Sequence, residues 1–182
     1  MSARIIPAVP PFPEKVQQKL DFRARGTRPP LVLFTTLARN ERLFHMFFSG
    51  SLLDPGTTLG VRLREIVIDR ITALSGSEYE WGVHVAVFGQ EAGLTEEQIV
   101  STAKGGAADD CWSPQEKALI AACDELHASS DISDTTWDEL KKYFSDDQAI
   151  EILMLAGRYK VVSYLTNAIR MPLETWARRF PQ

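Results

Sequence analysis

Glu65, Glu80 and His84 are a set of proton-carrying side chains that one helical hairpin can gather into a tight cluster. They fall in Arg64 to Gly93, REIVIDRITALSGSEYEWGVHVAVFGQEAG, which reads as two helices joined at Ser75-Gly76-Ser77. Glu80 and His84 are four residues apart and share one face of a helix. Glu65 precedes Gly76 by eleven residues and His84 follows it by eight. In a hairpin turning at Gly76 that mismatch is about 4.5 Å along the axis, a gap two side chains can bridge. A carboxylate beside an imidazole fixes the ring tautomer and raises its pKa, leaving a group that exchanges a proton near neutral pH. A second carboxylate in a poorly hydrated pocket becomes a usable acid. The chemistry these residue types support is general acid–base catalysis, with Tyr79 and Trp81 close enough in sequence to wall a substrate pocket.

Other readings of the same residues stand beside this one. Ser77-Glu-Tyr-Glu80 is also a capping box, with Ser77 as the cap and Glu80 reaching back. Glu65 can pair with Arg62, Arg64 or Arg70 on its helix, and His84 can be an ordinary interface histidine. Two carboxylates and a histidine are a possible set of metal ligands. However, di-iron helical bundles use Glu-x-x-His twice, whereas this chain has Glu-x-x-x-His once, so no metal is expected.

The elements that must position these groups are helical throughout. Residues 1–13 carry Pro7, Pro10, Pro11 and Pro13 and read as an extended arm across this or a neighbouring subunit. Residues 14–182 read as a single domain. Glu14 to Arg25 is a short amphipathic helix ended by Gly26 and Pro29-Pro30. Leu31 to Leu53 is an apolar helical stretch that Asn40 can divide by capping the second piece. That piece, with Leu43, Phe44, Met46, Phe47 and Phe48, has more apolar surface than one core-facing stripe needs; His45 within it reads as a packed histidine. Asp54-Pro55-Gly56 is a turn. Helices follow over Arg62 to Leu74 and Glu78 to Ala92, the second with Trp81, Val85 and Phe88 inward and Gly93 as C-cap. Thr95-Glu-Glu-Gln98 and Ser113-Pro114-Gln115-Glu116 open two more by capping boxes. Ser133 or Asp134 caps the next, with Trp137, Leu140 and Phe144 inward. Asp146 or Asp147 starts a last long helix running to about Arg170, and the tail docks through Trp176 and Phe180. The expected fold is all-α, a bundle of about seven to nine helices.

Composition narrows the partners. Net charge is −4 and no Lys/Arg-rich run occurs, so no nucleic-acid surface is expected. No stretch of about 18 apolar residues is present, so no membrane span is expected, and the proline-broken N-terminus does not read as a signal peptide. Cys111 and Cys123, with eleven residues between them, form neither a redox pair nor a metal spacing. A reducing cytoplasm is the expected compartment.

The hairpin resembles the core of the carboxymuconolactone decarboxylase / AhpD-like superfamily. In the peroxidase branch of that family a glutamate-bearing helix is followed by Cys-x-x-Cys and then by a histidine four residues after the second cysteine. Counting back from His84, Glu65 takes the place of the glutamate, and Ser77 and Glu80 take the places of the two cysteines. Gly93-Leu94-Thr95-Glu96-Glu97 resembles the acidic segment that follows. The family core covers roughly residues 40 to 130, and the wider arrangement looks like the cysteine-free branch. The resemblance implies an AhpD-like all-α bundle, assembly into trimers or hexamers, a small-molecule substrate and no cofactor.

Replacement of both cysteines leaves no peroxidatic thiol and no resolving partner. What remains resembles the decarboxylase side of the family, in which a lactone acid loses carbon dioxide and a protein acid protonates the resulting dienolate. The expectation is a cofactor-independent lyase or isomerase acting on a small carboxylated or carbonyl compound. His84 is then the proton carrier, Glu65 its orienting partner, Glu80 a second acid/base, and one of Arg62, Arg64 or Arg70 the holder of an acidic substrate. The rival is an oligomeric binding or scaffold protein that has lost catalysis. That rival requires Glu80 to cap its helix and His84 to be sealed in apolar packing without a cavity.

Overall fold

The computed structural model describes residues 2–23, 28–50, 52–53 and 56–182. Among these the chain forms nine helices and no strand: α1 (Glu14–Arg23), α2 (Val32–Leu37), α3 (Glu41–Phe48), α4 (Val61–Leu74), α5 (Glu78–Phe88), α6 (Glu96–Lys104), α7 (Pro114–Ser129), α8 (Asp134–Lys141) and α9 (Asp146–Ile169). Arg25, Gly26, Asp54 and Pro55, which the sequence reading placed in a helix end and a turn, lie outside the described residues.

The boundaries follow side-chain chemistry. Asn40 accepts from the Leu43 amide and separates α3 from α2, as its capping preference requires. Complete capping boxes open α6 (Thr95 with Gln98), α7 (Ser113 with Glu116) and α9, where Ser145 with Gln148 is the cap rather than either aspartate. Gly76 takes φ +65° in the turn between α4 and α5, a conformation glycine adopts without a Cβ penalty. Helix α5 stops at Phe88, earlier than apolar spacing suggested. Gly93, at φ +63°, ends a turn that the Leu94 amide closes onto the Gly89 carbonyl.

Helix α4 is the axis of the bundle. It packs against α5, α6, α7 and α9, and every residue from Arg64 to Thr72 is buried. Because neighbours surround it, Arg64 and Arg70 have no solvent face and find their partners inside. Arg70 donates to Asp124 at 2.6 Å and to the carbonyls of Thr102 and Gly105. Arg62, at the edge, donates to Glu116 at 2.6 Å and to the carbonyls of Ala92 and Gly93. The main core joins Ile66, Val67, Ile71, Leu119, Ile152 and Leu155, among others.

The N-terminal arm lies on its own subunit. The Arg4 amide donates to the Ile169 carbonyl and the Ala8 amide to that of Thr35. The C-terminal segment crosses α5 at Gly82, whose carbonyl accepts from the Arg178 amide at 3.1 Å. A Cβ on Gly82 would stand 2.1 Å from the Arg178 carbonyl oxygen, so only glycine permits this approach. Phe180 then packs on Trp81 with ring centres 5.1 Å apart, the docking expected of the tail. Trp137 departs from expectation: Leu140 and Phe144 are buried, but Trp137 is 36% exposed, because α8 is a short outer helix with one narrow inward stripe.

Candidate active site

The three proton-carrying residues meet at the α4–α5 seam. His84 Nδ1 donates to Glu65 Oε2 at 2.7 Å, and Arg64 Nε donates to Glu65 Oε1 at 3.1 Å, so both oxygens of Glu65 are engaged. On the other edge of the ring, Nε2 lies 3.4 Å from Glu80 Oε1 and 3.1 Å from the Tyr159 hydroxyl. The ring is held on its faces as well: Phe88 stacks on it at 5.2 Å and Tyr159 meets it edge-on at 5.0 Å. Glu65, Glu80, His84 and Tyr159 are all buried.

The capping reading holds in half. Ser77 accepts from the Glu80 amide at 3.4 Å and shares a 2.8 Å hydrogen bond with Thr166, so it is a structural cap. Unlike Gln98, Glu116 and Gln148 in the complete boxes, Glu80 turns its side chain towards His84. Its second oxygen, Oε2, is buried and has no hydrogen-bond partner among the described residues.

The electrostatics follow from this arrangement. Burial pulls the His84 pKa down, but the charge and hydrogen bond of Glu65, with Glu80, outweigh it and lift it to about 10. The resting form is an imidazolium clamped between two carboxylates. Burial also pushes the Tyr159 hydroxyl up, reinforced by Glu80 and Glu65, so it stays neutral. Asp69, one turn along α4 from Glu65, is fully enclosed with both oxygens unpartnered among the described residues. Burial and then the Glu65 charge raise its pKa well above the usual carboxylate value, against the pull of His84, which favours the protonated acid.

A cavity of about 150 Å³ opens on the Nε2 side of the ring, lined by His84, Glu80 and Tyr159. Its walls are mainly apolar, including Phe34, Phe48, Val83, Val87, Phe88 and Val162. Glu65 stands behind His84 and does not line it. Tyr79 and Trp81, expected to wall the pocket, are placed elsewhere. The Tyr79 hydroxyl donates to Glu174 at 2.6 Å and accepts from the Leu33 amide, tying α5 to α2 and the tail. Trp81 donates to Thr102 at 3.0 Å and packs with Val85 and Ile99 on the opposite side of α5.

The sequence reading missed Tyr159, Asp69 and the cavity's own arginines. Tyr159 comes from α9, far along the chain; its only sequence signal is a phenol in the buried Ile152-Leu155-Tyr159 stripe, where a hydroxyl must find a partner. The arginines weighed for substrate binding have other partners: Arg62 and Arg70 hold the bundle together, and Arg64 pairs with Glu65. Arg23, Arg28 and Arg158 line the cavity instead. Among the described residues no group of three or more His, Cys, Asp or Glu side chains is arranged to hold a metal ion. Neither cysteine lines the cavity; Cys123 is buried, with its thiol pushed up to about 12 by burial. No helix of the described residues is long and apolar enough to cross a membrane.

A helical hairpin presenting a buried glutamate–histidine pair to a small cavity, within an all-α bundle, defines an AhpD-like fold. Solved structures agree. An uncharacterised peroxidase-related protein from Silicibacter sp. TM1040 superposes with a TM-score of 0.85 at 14% identity, over 99% of this chain and 96% of that one. An AhpD-core peroxidase-related protein from Ralstonia eutropha JMP134 gives 0.82 at 17%, over 96% and 94%. A variant of the debrominase Bmp8 in complex with 2,3,4-tribromopyrrole gives 0.74 at 18%, over 97% and 94%. At these identities the likeness is one of fold. The carboxymuconolactone decarboxylase family model matches residues 42–125, the span that contains the hairpin. Over those residues the chain is similar to the carboxymuconolactone decarboxylase family, and its fold is AhpD-like. No curated protein matches the sequence.

Proposed function

We propose that this protein is a cofactor-independent lyase or isomerase that moves a proton between His84 and a carbon of a small carboxylated or lactone substrate. The observation that carries this reading is the His84 ring, held by Glu65 on its buried edge and facing a cavity with Glu80 and Tyr159 on its other edge. A resting imidazolium is an acid ready to protonate an enolate carbon. Glu65 orients the ring and balances its charge, and Tyr159 fixes the Nε2 edge. Glu80 is the second acid/base, with one oxygen on the histidine and one without a partner among the described residues. Thiol chemistry is not proposed, because Ser77 and Glu80 stand at the positions where the peroxidase branch carries cysteines.

The test is a turnover screen against lactone acids and β-keto acids, with His84→Gln as control. The reading expects turnover by the wild type and its loss in a variant whose circular dichroism is unchanged. Equal activity in the two sinks the mechanism.

Assembly and compartment complete the proposal. Helix α9 leaves Ile150, Met154, Val161 and Tyr164 exposed at alternating four- and three-residue steps, with Gly157 between them, a stripe suited to a second copy of the chain. We propose a homo-oligomer, trimeric or hexameric, covering this face. Both cysteines are free thiols, in keeping with a cytoplasmic setting. Sedimentation of the purified protein tests the assembly, and a monomer at micromolar concentration overturns it.

A further inference from the structure

The cavity lining mixes three kinds of group. Buried His84, Glu80 and Tyr159 stand on it, and much of the rest is aromatic and aliphatic. Also on the lining are the guanidinium groups of Arg23, of an exposed Arg28 and of a half-buried Arg158. Arg158 lies 4.7 Å over the Phe47 ring and donates to the Phe47 carbonyl; Arg28 lies 4.3 Å over Trp176. Stacking fixes the guanidinium planes while leaving N–H donors to spare. Among the described residues no carboxylate pairs with either group, in contrast to Arg62, Arg64 and Arg70. Glu80 is only 6% exposed and its Oε2 has no partner among the described residues. An anionic group of a ligand is repelled by a carboxylate and attracted by a guanidinium, so the arginines are where it is held.

Volume sets its size. A cavity of about 150 Å³ is of the order that takes one benzene-sized ring. Resting on the proton-relay reading, we infer that the cavity binds a single-ring, otherwise apolar monocarboxylate. Its carboxylate is held by Arg158 with Arg28, and its ring fills the apolar body. The anchored carboxylate is a handle that stays on the substrate, and a ring carbon exchanges the proton with His84.

Isothermal titration with benzoate and with its neutral counterpart benzyl alcohol tests this. The wild type should bind benzoate at least tenfold more tightly than benzyl alcohol. Arg158→Gln should remove that preference while leaving benzyl alcohol within twofold of wild type, which also reports an intact cavity; Arg28→Gln should act in the same direction more weakly. Equal affinity of the wild type for the two probes overturns the inference, and that comparison does not depend on any variant folding. Unchanged benzoate affinity in the Arg158→Gln, Arg28→Gln double variant overturns it as well. The two readings fail separately. Benzoate preference with no turnover in any screen leaves the anion site standing and sinks the relay. Turnover of a neutral lactone, undiminished by Arg158→Gln, sinks the anion site and leaves the relay.

Discussion

His84 Nδ1 and Glu65 Oε2 stand 2.7 Å apart, across a hairpin that separates them by 19 positions in sequence. The bond is buried on both sides, and Arg64 occupies the other glutamate oxygen. Glu65→Gln keeps the shape and removes the charge that outweighs burial at the histidine. The His84 midpoint, followed by NMR, should fall from about 10, and kcat should drop by about 10²–10⁴-fold, the usual worth of general acid–base catalysis. An unmoved midpoint contradicts the charge argument.

Ser77 and Glu80 separate capping from chemistry. Ser77→Ala removes the α5 cap and the Thr166 hydrogen bond. It should cost about 0.5–2 kcal/mol in denaturant unfolding and leave the His84 titration in place. Glu80→Gln should lower both the His84 midpoint and turnover, with a stability loss that disappears as pH rises through about 10, where the native histidine is neutral. If Glu80→Gln costs as much stability as Ser77→Ala and leaves the midpoint alone, Glu80 is structural.

Stability should depend on pH with a defined sign. The native state keeps the His84 proton up to about pH 10, whereas an unfolded histidine releases it near 6.5. Stability from the charged ring is therefore complete below about pH 6.5 and lost as pH rises through about 10, by at most about 1.4 kcal/mol per pH unit. Asp69 acts in a lower window. The native state retains a proton that an unfolded aspartate releases near 3.8, so stability also falls as pH climbs above that value. Unfolding measured at a series of pH values should show both slopes, the upper lost in His84→Gln and the lower in Asp69→Asn. A wild-type stability that rises between pH 7 and 9 contradicts the assignment.

Gly82 links the tail to the cavity. A methyl group there meets the Arg178 carbonyl at 2.1 Å, and Trp176 of the same segment lines the cavity. Gly82→Ala should destabilise by about 1–3 kcal/mol, the usual cost of overpacking. It should also raise protease sensitivity near the C-terminus and weaken ligand binding. Wild-type stability with an undisturbed tail would show that the segment shifts freely.

The helices were legible because their signals are local. Thr95, Ser113 and Ser133 mark helix starts by their own side chains, and Asn40 divides one apolar stretch into two. The α4–α5 hairpin was legible for the same reason: a glycine turn and a four-residue step fix which groups face each other. Trp137 shows the limit. Its spacing matches Leu140 and Phe144, yet whether a stripe position is covered depends on the width of the neighbouring helix, which local spacing does not encode.

Glu65, Glu80 and His84 were determined by the sequence alone, since short-range helical geometry brings them together. The orientation of Glu80 was not: the same Ser-x-x-Glu pattern closes a capping box in α7 and turns away from one in α5. Tertiary packing decided it, because α9 carries Tyr159 to the Nε2 edge and the cavity opens beside it. Packing likewise sent Tyr79 and Trp81 to opposite sides of α5, engaged Arg62 and Arg70 within the bundle, and brought Arg28 and Arg158 to the cavity. Such contacts join residues distant in the chain, and their partners are fixed only once the helices have chosen their faces.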